Sequence, residues 1–578
     1  MYKGIPASPG IVIGRARISQ HIDLDLYGQQ VKSSRKSLLE EKACLESSFE
    51  KARRDLEDLR EATFREQGET YALIFDAHLL LLDDPEVKIQ VLNKIENENA
   101  DAAYALASVA SGYVSTFKSM SDPYMSERAD DIRDVFTRVL KYILGIDTKS
   151  NIGHEENSIW VSREQSPSDI AALDKTKVIG IVTETGGGTS HAAIMARNME
   201  IPAVVGLNGI LEQVSEGDLI ILDGSIGDVI VNPKDEVISS YMEKASRLKL
   251  QNSLYRSYVG RSTQTSDGYH VRLGANIGTI DDLDSCEKND FEEIGLYRSE
   301  FLFMERAELP SEEEQYQAYA GVIQKLKGKE CTIRTLDIGG DKNLDYLSIE
   351  KEMNPFLGFR AIRFCLERSD IFKTQLRAIL RASVHGNVRI MFPMVSSLDE
   401  LLNAKEILQI CQIELEREGL KWRSGIEIGV MIEVPSAALI ADILAKHVNF
   451  FSLGTNDLLQ YTCAVDRMNP KVSHLYEPLH PGLLRLIDLV ARHAKSAGIK
   501  LGMCGSMAHI PELVPLFIGM GFDSLSMSAL HILPTRKVIS ELDLNECKKK
   551  LENVLILETA SEIRKFLGSN ESKLDGNV

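Results

Sequence analysis

The sequence has no CxxC pair: its eight cysteines, at 44, 286, 331, 365, 411, 463, 504 and 547, are scattered along the chain. Such spacing indicates neither a disulfide framework nor a zinc knuckle, and makes a reducing cytosol the simplest compartment. No run approaches the ~18 apolar residues that a membrane-spanning helix needs. The opening MYKGIPASPGIVIG lacks the long apolar stretch of a secretory signal, so a cytoplasmic location is expected. Positive charge is also short. Sixty-six Lys and Arg stand against 85 Asp and Glu, a formal charge of −19, which argues against nucleic acid or an anionic membrane as the main partner and favours a basic one. A local anion site for a small phosphorylated substrate remains compatible with that balance.

What is present is an ordinary globular composition, 44% hydrophobic and 26% charged over 578 residues. At ~150 residues per domain this length predicts about four domains, or two or three if one is a barrel. Residues 1–20 alternate Gly and Pro with short apolar runs, as strands and turns do. From about 31 to 145, Leu38, Leu39, Leu45, Phe49, Leu56 and Leu59, then Leu73, Ile74 and Leu79 to Leu82, recur near helical spacing with hardly any Pro or Gly. That stretch reads as a helical bundle inserted into a compact α/β unit comprising residues 1–30 and 146–232, since short β-branched runs return at Val178 to Val182, Leu219 to Leu222 and Val229 to Val231. Residues 233–262 read as a linker helix, 263–566 as the second large domain, and 567–578 as a frayed tail.

In that second domain eight apolar runs alternate with helical stretches: Val271 to Ile277, Ile294 to Phe303, Cys331 to Ile338, Val388 to Met394, Ile426 to Glu433, Phe450 to Asp457, Lys500 to Met507 and Phe522 to Ser528. Count and length match a (β/α)8 TIM barrel, with an open doubly wound sheet as the alternative. In a barrel the active residues belong where each run meets its loop. In order the runs deliver Arg298, Arg334, Glu433, Asn456, Asp457 and Cys504, and Arg360 and Arg467 lie on following loops. Glu433 and Asp457 suit one hard cation with positions left open, as Mg2+ is held beside phosphorylated substrates, or are two acids satisfied by nearby arginines. Four arginines on one rim imply a small polyanion, whose carboxylate or phosphate oxygens fit their forked donors. Cys504, between Gly502 and Gly505, is either a thiol that gives or takes a proton or a packing residue.

A second site lies in KVIGIVTETGGGTSHAAIMARNMEIPAVVG, residues 177–206. A strand runs into Gly186, Gly187 and Gly188, then Thr189, Ser190 and His191, before the helical AAIMAR. Glycines let a ligand approach the backbone, and a helix start directs free amides towards an anion near His191. The histidine is then either a phosphoryl acceptor or an ordinary surface or capping residue.

Together these residues resemble the phosphoenolpyruvate-protein phosphotransferases, the Enzyme I family of the bacterial sugar phosphotransferase system. GGGTSHAAIMAR resembles the phosphohistidine signature, and GLYRSEFLFM, RTLDIGGDK, NPFLGFRAIR, IEIGVMIEVPSA, FFSLGTNDLLQYT, AVDR and GMCG resemble the successive motifs of the phosphoenolpyruvate-binding barrel. The resemblance implies that His191 carries the phosphoryl group, that Arg298, Arg334, Asn456, Asp457 and Arg467 bind phosphoenolpyruvate with Arg360 in support, that Glu433 and Asp457 hold Mg2+, and that Cys504 protonates the enolate of pyruvate. It implies a swivelling phosphohistidine domain, a homodimer formed through the barrel, and docking of the phosphocarrier protein HPr on the helical insertion. Residues 61–101 hold ten acids and three bases, hence −7, which suits a basic partner around Leu79 to Leu82 as well as it suits a solvated helix face.

Two positions depart from the family pattern: Gly188, where many members carry Arg, and Ser506, where an acidic residue is common. Pyruvate phosphate dikinase and phosphoenolpyruvate synthase share the histidine and barrel but add a nucleotide-binding domain, and no P-loop occurs here. A regulatory phosphorelay protein without turnover is the non-enzymatic alternative, against which the full set of anion and metal ligands argues.

Overall fold

A computed structural model of the chain describes every residue except 19–23, 30–36, 68, 120–122, 147–156, 165–176, 188–192, 194–195, 198–200, 305, 307, 341–345, 348–351, 468, 470 and 569–578. The chain divides into two units, Met1–Gln251 and Asn252–Val578.

The first unit opens with strands β1 (Tyr2–Lys3), β2 (Ile5–Ser8) and β3 (Ile11–Ile18). Among the described residues, six helices follow: α1 (Leu24–Gln29), α2 (Leu38–Gln67), α3 (Glu69–Leu82), α4 (Pro85–Glu98), α5 (Ala102–Lys118) and α6 (Pro123–Ile143). The chain then returns through β4 (Ser158–Ser162), β5 (Val178–Thr183), β6 (Ala203–Val205), β7 (Leu219–Asp223) and β8 (Asp228–Val231). These strands form one mixed sheet in the order β1-β8-β7-β3-β4-β5-β6-β2. Alternation along the strands feeds two cores: Trp160, Ile181 and Val205 pack with Ala193 and Ala196 in one, and Ile159, Val161, Val182 and Val204 in the other.

In α2, a helix free of Gly and Pro, the buried residues Leu45, Phe49, Ala52, Leu56 and Leu59 recur three and four apart and form one stripe. Asp84 and Asp101 cap α4 and α5 by accepting the backbone N–H of Glu86 and of Tyr104. Leu24 of α1 already belongs to the bundle core, so helical packing begins ahead of the expected residue 31. Nor do Leu79 to Leu82 present one apolar surface to a partner. Of Leu79 to Leu82 only Leu80 is largely exposed, at 76%, while Leu82 is buried and Leu79 and Leu81 pack against the core. Consecutive residues point to successive sides of a helix, so four in a row cannot share one face.

Helix α7 (Asp235–Arg256) has no buried residue. Beyond it come β9 (Arg272–Ile277), β10 (Glu293–Arg298), β11 (Glu330–Arg334), β12 (Asn387–Phe392), β13 (Glu427–Ile432), β14 (Phe450–Leu453), β15 (Lys500–Met503) and β16 (Ser524–Met527). All pair in parallel, each with the next, and β16 with β9, which closes an eight-stranded barrel. The (β/α)8 expectation therefore holds, and the open sheet is excluded. Ion pairs tie the strand starts together: Arg272 with Glu293 at 2.8 Å and with Glu330, Arg389 with Glu330 at 2.8 Å and with Glu427 at 2.6 Å, and Lys500 with Glu427 at 3.3 Å. This end of the barrel is occupied by paired charges, which leaves chemistry to the opposite mouth.

Candidate active site at the carboxyl mouth of the barrel

Arg298 and Arg334 are the last residues of β10 and β11, and Glu433 and Cys504 directly follow β13 and β15. Asn456 and Asp457 were expected at a strand end. Instead β14 stops at Leu453, and both lie in the first turn of the helix Thr455–Cys463. Asn and Asp favour such a turn, where an acid also meets the positive end of the helix dipole. Arg360 stands just before the helix Ile362–Glu367, and Arg467 just after Thr455–Cys463.

The arginines are not bare cations waiting for an anion, because buried acids are threaded between them. Arg334 pairs with Glu300 and, at 2.9 Å, with Asp337 Oδ2. Arg360 binds Asp337 Oδ1 at 3.0 Å, stands 3.6 Å from Asp457 Oδ2, and donates to the Tyr461 hydroxyl at 3.2 Å. These acids raise the proton affinity of both guanidinium groups in spite of burial. Arg298 is open to solvent on one side. Desolvation on the other, and then the charge of Arg334, lower its proton affinity, so it is the cation that an incoming anion would relieve most. Arg467 lies beside Tyr476, whose hydroxyl donates to the Asn456 carbonyl oxygen at 3.1 Å.

Glu433 is buried, and its Oε1 accepts the Met394 N–H at 2.6 Å. Met394 presents that N–H from a left-handed backbone, φ 55°, a conformation that a non-glycine residue holds only under constraint. Desolvation first, then the charges of Asp457 and Asp337, push the Glu433 carboxyl upward. Asp457 Oδ1 is buried and has no hydrogen-bond partner among the described residues. Among the described residues no group of three or more His, Cys, Asp or Glu could hold a metal unaided. Two hard oxygen donors with one unpartnered lone-pair set nevertheless fit a divalent cation that keeps its remaining positions for water and substrate oxygens.

The Cys504 side chain is buried, with Sγ 3.6 Å from Leu453 O. Burial pushes its thiol up to about 11, so at neutral pH the sulfur keeps its proton and is equipped as an acid. His191, with Gly188, Thr189 and Ser190, lies outside the described residues. Gly186, earlier in the same sequence motif, adopts φ 106°, open to glycine alone.

The barrel thus brings together Arg334, Arg360, Glu433 and Asp457 with Glu300 and Asp337, two acids that sequence reasoning passed over. Both stand inside the motifs GLYRSEFLFM and RTLDIGGDK. An acid two or three residues from an arginine at a strand end was the signal available for each. Asn276 on β9, which donates to the Cys504 carbonyl oxygen, and Ser526 on β16, which donates to Asn276, carried no local signal.

Three successive segments match the three parts of one family: residues 3–128 the PEP-utilising enzyme N-terminal domain, 154–227 its mobile domain, and 254–544 its PEP-binding domain. A phosphoenolpyruvate-protein phosphotransferase of Priestia megaterium is 46% identical over 570 residues, 98% of each chain. That of Geobacillus stearothermophilus is 47% identical over 564 residues, 98% of this chain and 97% of its own. That of Bacillus subtilis is 45% identical over 565 residues, again 98% of each. Matched from end to end in this way, and carrying the closed barrel with its arginine and carboxylate mouth, the chain belongs to the phosphoenolpyruvate-protein phosphotransferase family of PEP-utilising enzymes.

Proposed function

We propose that the chain transfers the phosphoryl group of phosphoenolpyruvate to His191 and from there to a histidine of the phosphocarrier protein HPr, releasing pyruvate as the first step of sugar uptake by a phosphotransferase system. The observation that carries this reading is the barrel mouth, where paired arginines, two hard carboxylates and a protonated thiol stand in a chain similar throughout to enzymes of that name. Arg298, Arg334 and Arg467 would grip the carboxylate and phosphate oxygens, with Arg360 holding Asp457 in place and Asn456 offering its amide.

PEP-utilising enzymes work with a divalent metal ion. Here we assign it as Mg2+, held by Glu433 and Asp457, where it would neutralise charge on the substrate oxygens. A loose transition state leaves positioning and charge neutralisation to the protein. An imidazole nitrogen of His191 bonds to phosphorus as the bridging P–O bond breaks, with that electron pair left on the enolate oxygen. As the C2 carbonyl forms, C3 takes the Cys504 proton, and the thiolate that remains is reprotonated by water. In the second half-reaction phosphohistidine meets HPr on the helical insertion, for which exposed Leu80 within an acidic stretch offers an apolar and electrostatic contact. A homodimer through the barrel and a cytoplasmic location complete the proposal.

Incubation with labelled phosphoenolpyruvate and Mg2+ tests it. The adduct should be acid-labile and base-stable, and His191→Ala should abolish it. Labelling that survives in that variant would move the acceptor elsewhere, and an acid-stable adduct would place it on Ser190 or Thr189.

A further inference from the structure

The turn that carries the thiol is gripped from both sides. The Cys504 carbonyl oxygen accepts from Asn276 Nδ2 at 3.0 Å, and Asn276 Oδ1 in turn accepts from Ser526 Oγ at 2.7 Å. Two residues on, Ser506 donates to Asn456 Oδ1 twice, from its backbone N–H at 3.0 Å and from its hydroxyl at 2.7 Å. Neither amide can be flipped. A carbonyl oxygen only accepts, so the Asn276 atom facing it is nitrogen, and a backbone N–H only donates, so the Asn456 atom facing it is oxygen. Between the anchors, a Cβ on Gly505 would stand 2.0 Å from Thr455 Oγ1 and 2.6 Å from Thr455 N. Cys504, Gly505 and Ser506 are therefore pressed against the start of the helix that carries Asn456 and Asp457.

Asn276 lies at the carboxyl end of β9, and its side chain meets the site at the Cys504 carbonyl oxygen. We infer that Asn276 is a positioning residue: by holding the Cys504 carbonyl it fixes the peptide from which the thiol projects, and so the face of the enolate to which the proton is delivered. Ser506 is the opposing anchor, which ties the same turn to Asn456. The inference rests on the reading of Cys504 as proton donor. Without the Asn276 amide the carbonyl loses its partner, the Cys504–Gly505 peptide is free to rotate, and the enolate is left to be protonated from solvent on either face.

Phosphoenolpyruvate stereospecifically deuterated at C3, turned over in tritiated water with Mg2+ and HPr, yields pyruvate whose methyl group is chiral if protonation is one-sided. The wild-type protein should give one hand. Asn276→Leu, similar in volume but without hydrogen bonds, should give a mixture of both hands and slow pyruvate formation by about 10- to 100-fold, while phosphoryl exchange between the enzyme and HPr stays within about twofold. Asn276→Asp, which keeps the acceptor for Ser526 but loses the donor to Cys504, should behave the same way and serves if the Leu variant does not fold. One-handed pyruvate from both variants, at whatever rate, would overturn the inference. Cys504→Ala separates it from its premise. If that variant still yields a single hand, the thiol reading itself falls, whereas if it loses handedness while the Asn276 variants keep theirs, only the positioning role falls.

Discussion

Gly454 stands so close to Glu433 that a Cβ at position 454 would lie 2.8 Å from the carboxylate Oε2 and 3.0 Å from the side chain's own Cβ. The carboxylate has little room to give, because it is buried and its other oxygen is held by the Met394 N–H at 2.6 Å. Gly454→Ala should therefore turn Glu433 out of its position without removing any charged group. The Mg2+ concentration needed for half-maximal phosphoenolpyruvate-dependent labelling should rise by at least ~10-fold, as it does when groups supporting a metal ligand are altered. Exchange with phosphorylated HPr should not change. Titration of Mg2+ in both assays decides this, and an unaltered Mg2+ requirement would separate Glu433 from the metal.

Asp337 bridges Arg334 and Arg360, one carboxylate oxygen to each. Asp337→Asn keeps the shape but leaves two buried guanidinium groups short of a counter-charge. Removal of one partner from a buried pair is costly, so the barrel should lose ~3 kcal/mol in denaturant unfolding. Phosphoenolpyruvate with Mg2+ would supply some of the missing negative charge and should raise the midpoint of the variant more than that of the wild type. A variant as stable as wild type would show that Arg334 and Arg360 are satisfied without Asp337.

Much of this mouth was legible before the fold because its residues sit where short β-branched runs end, and a barrel turns that position in sequence into a position in space. Arg298, Arg334, Glu433 and Cys504 were found in that way. Asp457 was read as closing a strand because the apolar run gave no sign that β14 would stop at Leu453. Asp337 and Glu300 were passed over for a different reason: which arginine an acid folds back upon is decided by packing around the mouth. The bond between Asn276 and Ser526 joins residues 250 apart in the chain, and no local pattern anticipates it. Leu79 to Leu82 failed in the opposite sense. Four consecutive apolar residues suggest a surface, but a helix turns three of them against its own bundle.

The last relationship is electrostatic and concerns the loops after β15 and β16. His509 and His531 stack there with ring centroids 3.9 Å apart and planes 15° from parallel. Burial, and after it the proximity of His531, pulls His509 down to about 4, and burial lowers His531 as well. His509 is therefore neutral in the folded protein at pH 6 and His531 takes up a proton less readily than an exposed imidazole, whereas in the unfolded chain each titrates at about 6.5. As pH falls from about 6.5 towards 4 the unfolded state takes up protons that the folded state refuses, so stability is lost across that window and is fully present above it. Both rings keep partial contact with solvent, which reduces the effect to roughly 1 kcal/mol at pH 5 for His509, with His531 acting in the same direction. Urea unfolding at pH 7 and pH 5 should show this loss in the wild type and a smaller one in His509→Gln, whose amide fills the site without titrating. If His509→Gln loses as much stability between the two pH values as the wild type does, the acid sensitivity of the barrel lies in its carboxylates and not in the stacked pair.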